Sequence, residues 1–299
     1  MTTRQGISKT EVLFIIIVLV VAVFLVGVFL PSFGRTRKLA RAVKCSTQLN
    51  GIGKAMALYR NDCDGSMPTP WSNNVRTDAQ FGMGLYNYPG ENLYTRWMNP
   101  NFNDWDNEPT VGGCLWLLIK YEDLVPNMFL CPQDENGCEI VLADAIDNYP
   151  DIENWADLND FSNLTYLSFA YNDPWAAPLN TSSPPEAVVM ADKSNAYATT
   201  TRVPNPQAGN QPVPNPDGSW TDAEGKNPRA GNSPNHKFQN QSVLYMDNHV
   251  KKLETPLTGV DADNIYTRWD TTNPTPPDKR IGRWDRGHAQ DVSDSYLGN

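Results

Sequence analysis

Nineteen consecutive residues near the N-terminus, Val12–Leu30, carry no charged side chain. At about 1.5 Å rise per residue, a helix of that length measures roughly 28 Å, close to the thickness of about 30 Å of a bilayer's hydrocarbon core. A secretory signal would end in a small-x-small cleavage site, whereas Pro31 and a basic cluster at 35–44 follow the apolar run here. The run therefore predicts an uncleaved, single-pass transmembrane helix.

Charge divides the chain into two unequal parts. Residues 1–60 carry a net charge of +8, and because the whole chain carries −10, residues 61–299 carry −18. Nucleic-acid binding needs a basic footprint, so an acidic segment of this size argues against it. The basic cluster at 35–44 has two interpretations, contact with lipid headgroups or a solvated helix face. The positive-inside rule alone would place the acidic part in the cytoplasm.

The helical pattern continues beyond the apolar run. Apolar residues recur three or four positions apart, which is typical of one stripe of an amphipathic helix: Leu39, Ala42, Val43, Leu49, Ile52, Met56 and Tyr59. The pattern predicts a single helix of about fifty residues that is kinked at Pro31.

From Asn61 onward, Pro, Asn, Asp, Gly and aromatic residues become frequent. The pattern predicts a helix at 112–125 and short strands at 166–172, 186–192, 241–246 and 249–253. It also predicts a long loop at 201–235 and a loosely held tail at 270–299. The predicted fold class is α+β: a long N-terminal helix, transmembrane in its first half and amphipathic in its second, packed on a loop-rich antiparallel β-sheet head.

One seven-residue segment occurs twice. Residues 91–97 (ENLYTRW) and 263–269 (DNIYTRW) share five identical positions. We favour two equivalent packing sites for a Tyr/Trp pair over a binding role.

The five cysteines leave at least one thiol unpaired. Cys131 and Cys138 close a short loop, and a disulfide between them would fit an oxidising compartment. Free buried thiols are the alternative. No CxxC pair or Cys/His zinc spacing is present.

The segment 236–253 is the strongest candidate for a site in the head. His236, Asp247 and His249 are residue types that ligate metals or act as acid and base. The structural alternative, which we favour, is a β-hairpin turning at Asp247-Asn248 in a type I′ turn, with His236 hydrogen-bonded to a turn or loop. No enzyme motif accompanies these residues, so we expect no catalytic activity and no metal. Asp/Asn clusters at 215–218 and Asp261–Asn264 leave calcium as a weak alternative.

The N-terminus resembles that of type IV pilins and type II secretion pseudopilins, in the stretch Gly6-Ile7-Ser8-Lys9-Thr10-Glu11 followed by an apolar helix. The resemblance implies that a prepilin peptidase cuts between Gly6 and Ile7, that the new N-terminus is methylated, and that Glu11 pairs with the α-amino group of a neighbouring subunit. It also places the head outside the cytoplasm, which overrules the positive-inside rule. The chain departs from most pilins in having Ile7, Lys9 and Thr10.

Later segments resemble planctomycete-type pilin-like proteins with an H-X9-DG segment. They are residues 31–65, the FLCPQD sequence at 129–134 and the region 236–253, where ten residues separate His236 from Asp247 and Asn248 replaces Gly. The resemblance implies a leader at 1–6, a pilin helix at 7–60 and a head at 61–299.

The expected function is a pilin-like or pseudopilin subunit that assembles through its N-terminal helix into a pilus or a secretion pseudopilus. The expected partners are a prepilin peptidase, other subunits and the inner membrane, with a pilus or the cell surface as further locations. The alternative is a monomeric, membrane-anchored envelope module that binds a ligand.

Overall fold

The computed structural model describes residues 9–69, 111–143, 153–158, 161, 164–174, 178–194, 213–214, 220–221, 231–267, 289, 293–295 and 297–298. The chain separates into two units, Met1–Val43 and Lys44–Asn299. From here on, the head means the second unit, Lys44–Asn299, which includes the end of the first helix as well as the predicted head at 61–299.

The first helix, α1, runs from Lys9 to Asp62. Within the described residues, no helix combines the length and the hydropathy that crossing a membrane requires. The predicted fold class, a pilin-type helix with a transmembrane half on a β-sheet head, is therefore wrong. The predicted single-pass location in the inner membrane is wrong for the same reason.

The part of α1 that belongs to the head presents one buried stripe. Its buried apolar residues follow a spacing of three and four: Cys45, Leu49, Ile52, Met56 and Tyr59. Leu39 and Val43, which the sequence pattern assigned to the same stripe, are exposed. A helix turns about 100° per residue, so Leu39 and Val43 lie off the line through Cys45 and Leu49.

A second helix, α2, runs from Val111 to Tyr121 and is buried from Val111 to Ile119. It matches the helix predicted at 112–125 but ends four residues earlier. Asp123 adopts a left-handed conformation with φ of 54°, and the Leu124 N–H donates back to the Leu118 carbonyl. These are features of a helix C-terminus. Trp116 of α2 packs edge-on against Phe161, with 4.8 Å between ring centroids.

The main sheet is antiparallel and has the strand order β6-β5-β2-β1-β7 among the described residues. Its strands are β1 (Phe169–Asn172), β2 (Val188–Asp192), β5 (Gln241–Tyr245), β6 (Val250–Leu253) and β7 (Leu297–Gly298). A separate pair joins β3 (Val213–Pro214) to β4 (Trp220–Thr221), inside the segment predicted as a long loop.

The burial pattern of the strands explains their order in the sheet. β1, β2 and β5 are buried at every position, as expected for interior strands. β6 lies at an edge and exposes Lys251 and Lys252, and charged side chains on an edge strand oppose pairing with another chain.

The hairpin between β5 and β6 has a different turn from the type I′ turn expected. Asn248 is left-handed, with φ of 69°, but Asp247 does not have a positive φ. The Asn248 N–H donates to the Tyr245 carbonyl, and the Tyr245 N–H donates to the His249 carbonyl. This is a three-residue loop, a type I turn followed by a left-handed residue. The loop tip lies on α1, where Asn50 donates to the Asn248 carbonyl oxygen at 3.1 Å.

Candidate functional site

Four polar side chains from distant segments of the head meet in its interior. Cys45 lies on α1, Cys131 follows a 3-10 turn at Pro126–Phe129, Asp192 ends β2, and His236 ends a 3-10 turn at Pro234–His236. One ligand atom from each lies within 4.8 Å of all the others. We call these four residues the Asp192 cluster. All four are buried, with at most 6% of any residue exposed.

Asp192 is the centre of the contacts within the cluster. Its Oδ2 lies 2.8 Å from His236 Nε2, and its Oδ1 accepts the Cys45 thiol at 3.2 Å. The Cys131 Sγ lies 4.0 Å from His236 Nε2. Asp192 and Cys131 therefore face the same imidazole nitrogen, while Cys45 contacts the other oxygen of the carboxylate.

The backbone around Asp192 and His236 holds both side chains in place. Ser242 on the neighbouring strand donates its N–H to Asp192 Oδ2 at 2.6 Å. Asn235 donates from Nδ2 to Asp192 Oδ1 at 3.2 Å and to the Ser168 carbonyl at 2.7 Å. Ser233 caps the turn by accepting the Asn235 N–H. These bonds join the turn carrying His236 to the strand carrying Asp192.

Burial and hydrogen bonding set the protonation of the two thiols in opposite directions. Burial raises the pKa of the Cys45 thiol well above its usual value. The hydrogen bond with Cys45 is the main reason that the pKa of Cys131 falls to about 7, and the bond with His236 adds to the effect. The Cys131 thiol is thus more easily ionised than the Cys45 thiol.

The imidazole and the carboxylate stabilise each other's charge. Burial opposes the imidazolium form of His236, but its hydrogen bonds to Asp192 and Cys131 outweigh burial and raise its pKa to about 9. Burial also opposes the Asp192 carboxylate, but bonds from His236 and Ser242 outweigh it and keep the pKa of Asp192 below its usual value. In the absence of a bound ion, the pair is therefore a buried salt bridge at neutral pH.

The geometry does not suit nucleophilic catalysis. A nucleophile–His–carboxylate relay uses the two ring nitrogens separately, one for the nucleophile and one for the carboxylate. Here Asp192 and Cys131 both face Nε2 of His236. All four side chains are also buried, whereas a nucleophile must meet its substrate.

The other residues predicted for the head site lie elsewhere. Asp247 and His249 pair with each other at the hairpin tip, and the His249 ring stacks on Tyr245 with 4.4 Å between centroids. Neither belongs to the Asp192 cluster. Asn248 has a structural role, as the left-handed residue of the turn.

The two Asp/Asn clusters suggested for calcium gain no support as sites. Residues 215–218 lie outside the described residues. In the second cluster, Asp261–Asn264, the Asp263 carboxylate accepts the Ser295 N–H at 2.6 Å. That carboxylate therefore holds a neighbouring segment of the chain.

The predicted residues near the N-terminus are largely outside the described residues. Gly6 and Ile7 lie outside the described residues. The backbone of Glu11 belongs to α1, but its side chain is not among the described ones. The first copy of the repeated segment, 91–97, is also outside. In the second copy, Tyr266 is buried and donates to the Asp192 carbonyl at 2.7 Å, which places it beside the cluster.

None of the five cysteines, all of which the structure describes, forms a disulfide. Cys131 lies in the Asp192 cluster, whereas Cys138 is exposed. The proposed pairing of Cys131 with Cys138 stays a prediction, and it competes with any role for Cys131 beside His236.

Sequence reasoning found His236 but missed Cys45 and Asp192 as its neighbours. Cys45 follows the helical stripe as an ordinary buried residue, and Asp192 resembles the polar end of an apolar strand. The sequence offers one signal for Asp192, which directly follows the apolar run AVVMA at 187–191. A carboxylate at the end of a buried strand lies at the edge of the core.

No family model, curated protein or solved structure matches this chain. The comparisons therefore give no support for membership of a pilin, pseudopilin or secretion family, and the resemblance of the N-terminus stays a prediction.

Proposed function

We propose that the chain is a structural subunit that assembles with further copies of itself through the N-terminal part of α1. The observation that carries this proposal is the exposure of Val12–Leu25. Every residue in that stretch is exposed, and its large apolar side chains range from 45% exposed at Val12 to 72% at Val23.

A helix that is apolar on all sides is normally covered on all sides. Exposed apolar patches larger than a few hundred Å² usually mark interaction sites, and covering a Val, Leu, Ile or Phe side chain contributes about 1.5–3 kcal/mol. One partner helix covers only one face. Several helices arranged around the segment are needed, which favours a bundle or filament over a simple dimer.

The helices best suited to cover this segment are the same segments of other copies of the chain, because each copy has the same apolar surface to bury. The resemblance of the N-terminus to pilin-like proteins supports this choice. In that scheme a prepilin peptidase removes residues 1–6, and the new α-amino group of Ile7, with a reference pKa of about 8, offsets the charge of Glu11 on a neighbouring copy. Ile7 and Glu11 are four positions apart in the sequence, the spacing at which two residues of a helix share one side.

The experiment compares two valines of equal exposure, one in each unit. Val18 and Val141 are both 50% exposed. We expect the full chain to sediment as assemblies, Val18→Glu to shift the midpoint of assembly to a concentration at least about tenfold higher, and Val141→Glu to behave as wild type. Sedimentation velocity over a concentration series, with electron microscopy of the assemblies, provides the measurement. A monomeric wild type, or a Val18→Glu variant that assembles normally, would reject the proposal.

A further inference from the structure

We propose that Cys45, Cys131, Asp192 and His236 bind one zinc ion in a closed, structural site. This site is independent of the proposed assembly, because all four residues belong to the head.

The donor set matches the preference of zinc. Two cysteine sulfurs, one imidazole nitrogen and one carboxylate oxygen are all ligands that Zn²⁺ takes in proteins, in a tetrahedral arrangement of four. Soft sulfur ligands disfavour magnesium and calcium, which select oxygen. The cluster therefore discriminates against the hard divalent ions and favours zinc.

The separations in the cluster lie around those of a tetrahedral site. With Zn–S near 2.3 Å and Zn–N and Zn–O near 2.0–2.1 Å, ligand atoms lie about 3.3–3.8 Å apart. The cluster has Cys45 Sγ 3.2 Å from Asp192 Oδ1, Cys131 Sγ 4.0 Å from His236 Nε2, and no pair of ligand atoms beyond 4.8 Å. The other carboxylate oxygen, Asp192 Oδ2, lies 2.8 Å from His236 Nε2, and this contact would open by about half an ångström where Oδ2 is the oxygen that binds the ion.

Burial and surrounding bonds indicate a structural role for the ion. Structural zinc sites have four protein ligands, whereas catalytic sites keep one position open for water or substrate. Here four protein ligands are present and buried. The Ser242 N–H and the Asn235 side chain both donate to the Asp192 carboxylate, as partners of a metal-ligating carboxylate usually do.

The ion would join segments that the chain order keeps apart. Cys45 and Asp192 are separated by 147 positions, and Cys131 and His236 by 105. Binding would cross-link α1 to β2 and to the two 3-10 turns. Metal binding then adds to folding, because the unfolded chain holds no preformed site.

The first measurement uses the untagged full chain purified under reducing conditions. We expect one zinc per chain by elemental analysis, and removal by a chelator to lower the melting temperature reversibly, with recovery on adding Zn²⁺ but not Mg²⁺. Replacement by Co²⁺ should produce the sulfur-to-cobalt charge-transfer band and the intense visible bands of a tetrahedral thiolate site.

Variants then assign the ligands. Cys45→Ser, Asp192→Asn and His236→Gln should weaken Zn²⁺ binding at least a hundredfold in competition with a chromophoric chelator. Cys138→Ser and His249→Gln remove the same residue types outside the cluster, and they should bind within twofold of wild type. Asp192→Cys should retain the ion and increase the cobalt charge-transfer intensity, since it adds a third thiolate.

Three results would overturn the proposal. The first is a folded, reduced wild-type chain that contains no zinc and gives no cobalt spectrum. The second is a native disulfide joining Cys131 to Cys45 or to Cys138. The third is equal loss of zinc in the control variants. The cobalt spectrum of wild type decides the matter even if a ligand variant fails to fold.

Discussion

Two adjacent acidic residues, Asp134 and Glu135, show how burial changes the contribution of an ion pair to stability. Asp134 Oδ2 lies 2.5 Å from Lys193 Nζ, with 3% and 7% of the side chains exposed, and it also accepts the Ser168 hydroxyl. Glu135 pairs with Lys237 at 2.7 Å, but those side chains are 73% and 69% exposed. Water screens the second pair and not the first.

We predict that Lys193→Met lowers the free energy of unfolding of the head by about 3–5 kcal/mol, because it leaves the Asp134 carboxylate buried without its cation. Denaturant unfolding followed by tryptophan fluorescence measures the change. Lys237→Met serves as the control and should leave the unfolding midpoint unchanged. Adding Asp134→Asn to Lys193→Met should restore part of the loss. Equal midpoints for the two lysine variants would refute the argument from burial.

At the scale of elements, the β5–β6 hairpin is joined to α1 by close packing. A Cβ added at Gly53 would lie 2.9 Å from Leu244 Cδ1 and even closer to the Asn248 side chain, so the helix approaches the turn more closely than another residue would allow. The Asn248 side-chain oxygen is buried and has no hydrogen-bond partner among the described residues. Asn248 therefore stabilises the turn through its left-handed backbone conformation and through its carbonyl, which accepts a hydrogen bond from Asn50.

The two turn residues should respond oppositely to glycine. We predict that Asn248→Gly stabilises the head by about 0.5–1 kcal/mol, since glycine adopts positive φ freely and the unpaired buried oxygen is removed. Asp247→Gly should destabilise it, because the Asp247 carboxylate that accepts the His249 N–H at 3.1 Å is lost.

Unfolding midpoints of the two glycine variants test the turn type directly. A type I′ turn, with positive φ at both positions, would predict that both substitutions are tolerated or stabilising. Stabilisation by Asp247→Gly would therefore contradict the three-residue turn.

At the scale of the whole molecule, the proposed assembly segment and the Asp192 cluster belong to different units of the chain. The head holds its own core, its sheet and the Asp192 cluster, while Val12–Leu25 in the first unit exposes its apolar side chains. Changes in one unit should therefore alter assembly or folding, but not both.

We predict that Glu11→Leu impairs assembly while the unfolding midpoint of the head stays that of wild type. In the proposed assembly, Glu11 offsets the charge of a neighbouring Ile7 amino group, and leucine leaves that charge uncompensated among apolar side chains. Sedimentation velocity measures assembly, and intact mass verifies that the chain begins at Ile7. A Glu11→Leu chain that begins at Ile7 and assembles as wild type would show that the carboxylate has no part in assembly.

The local pattern of apolar and polar residues was enough to predict several helices and strands. The apolar runs at 241–246 and 249–253 predicted two strands, and β5 and β6 occupy them; the helix predicted at 112–125 is present as α2. These features can be predicted because burial of one side of a helix or strand imposes a period on neighbouring residues. The same reasoning failed at Val12–Leu30, where hydropathy indicated a membrane span and did not distinguish it from a segment that other protein chains could cover.

Only the tertiary structure decided the site. Cys45 faces inward because of the rotation of α1, and Asp192 reaches His236 because β2 pairs with β5 in one register, Ala191 opposite Val243. A shift of one residue in that register would turn Asp192 to the opposite side of the sheet. No spacing rule connects residues 45, 131, 192 and 236, since their proximity arises from packing between elements that are far apart in the chain.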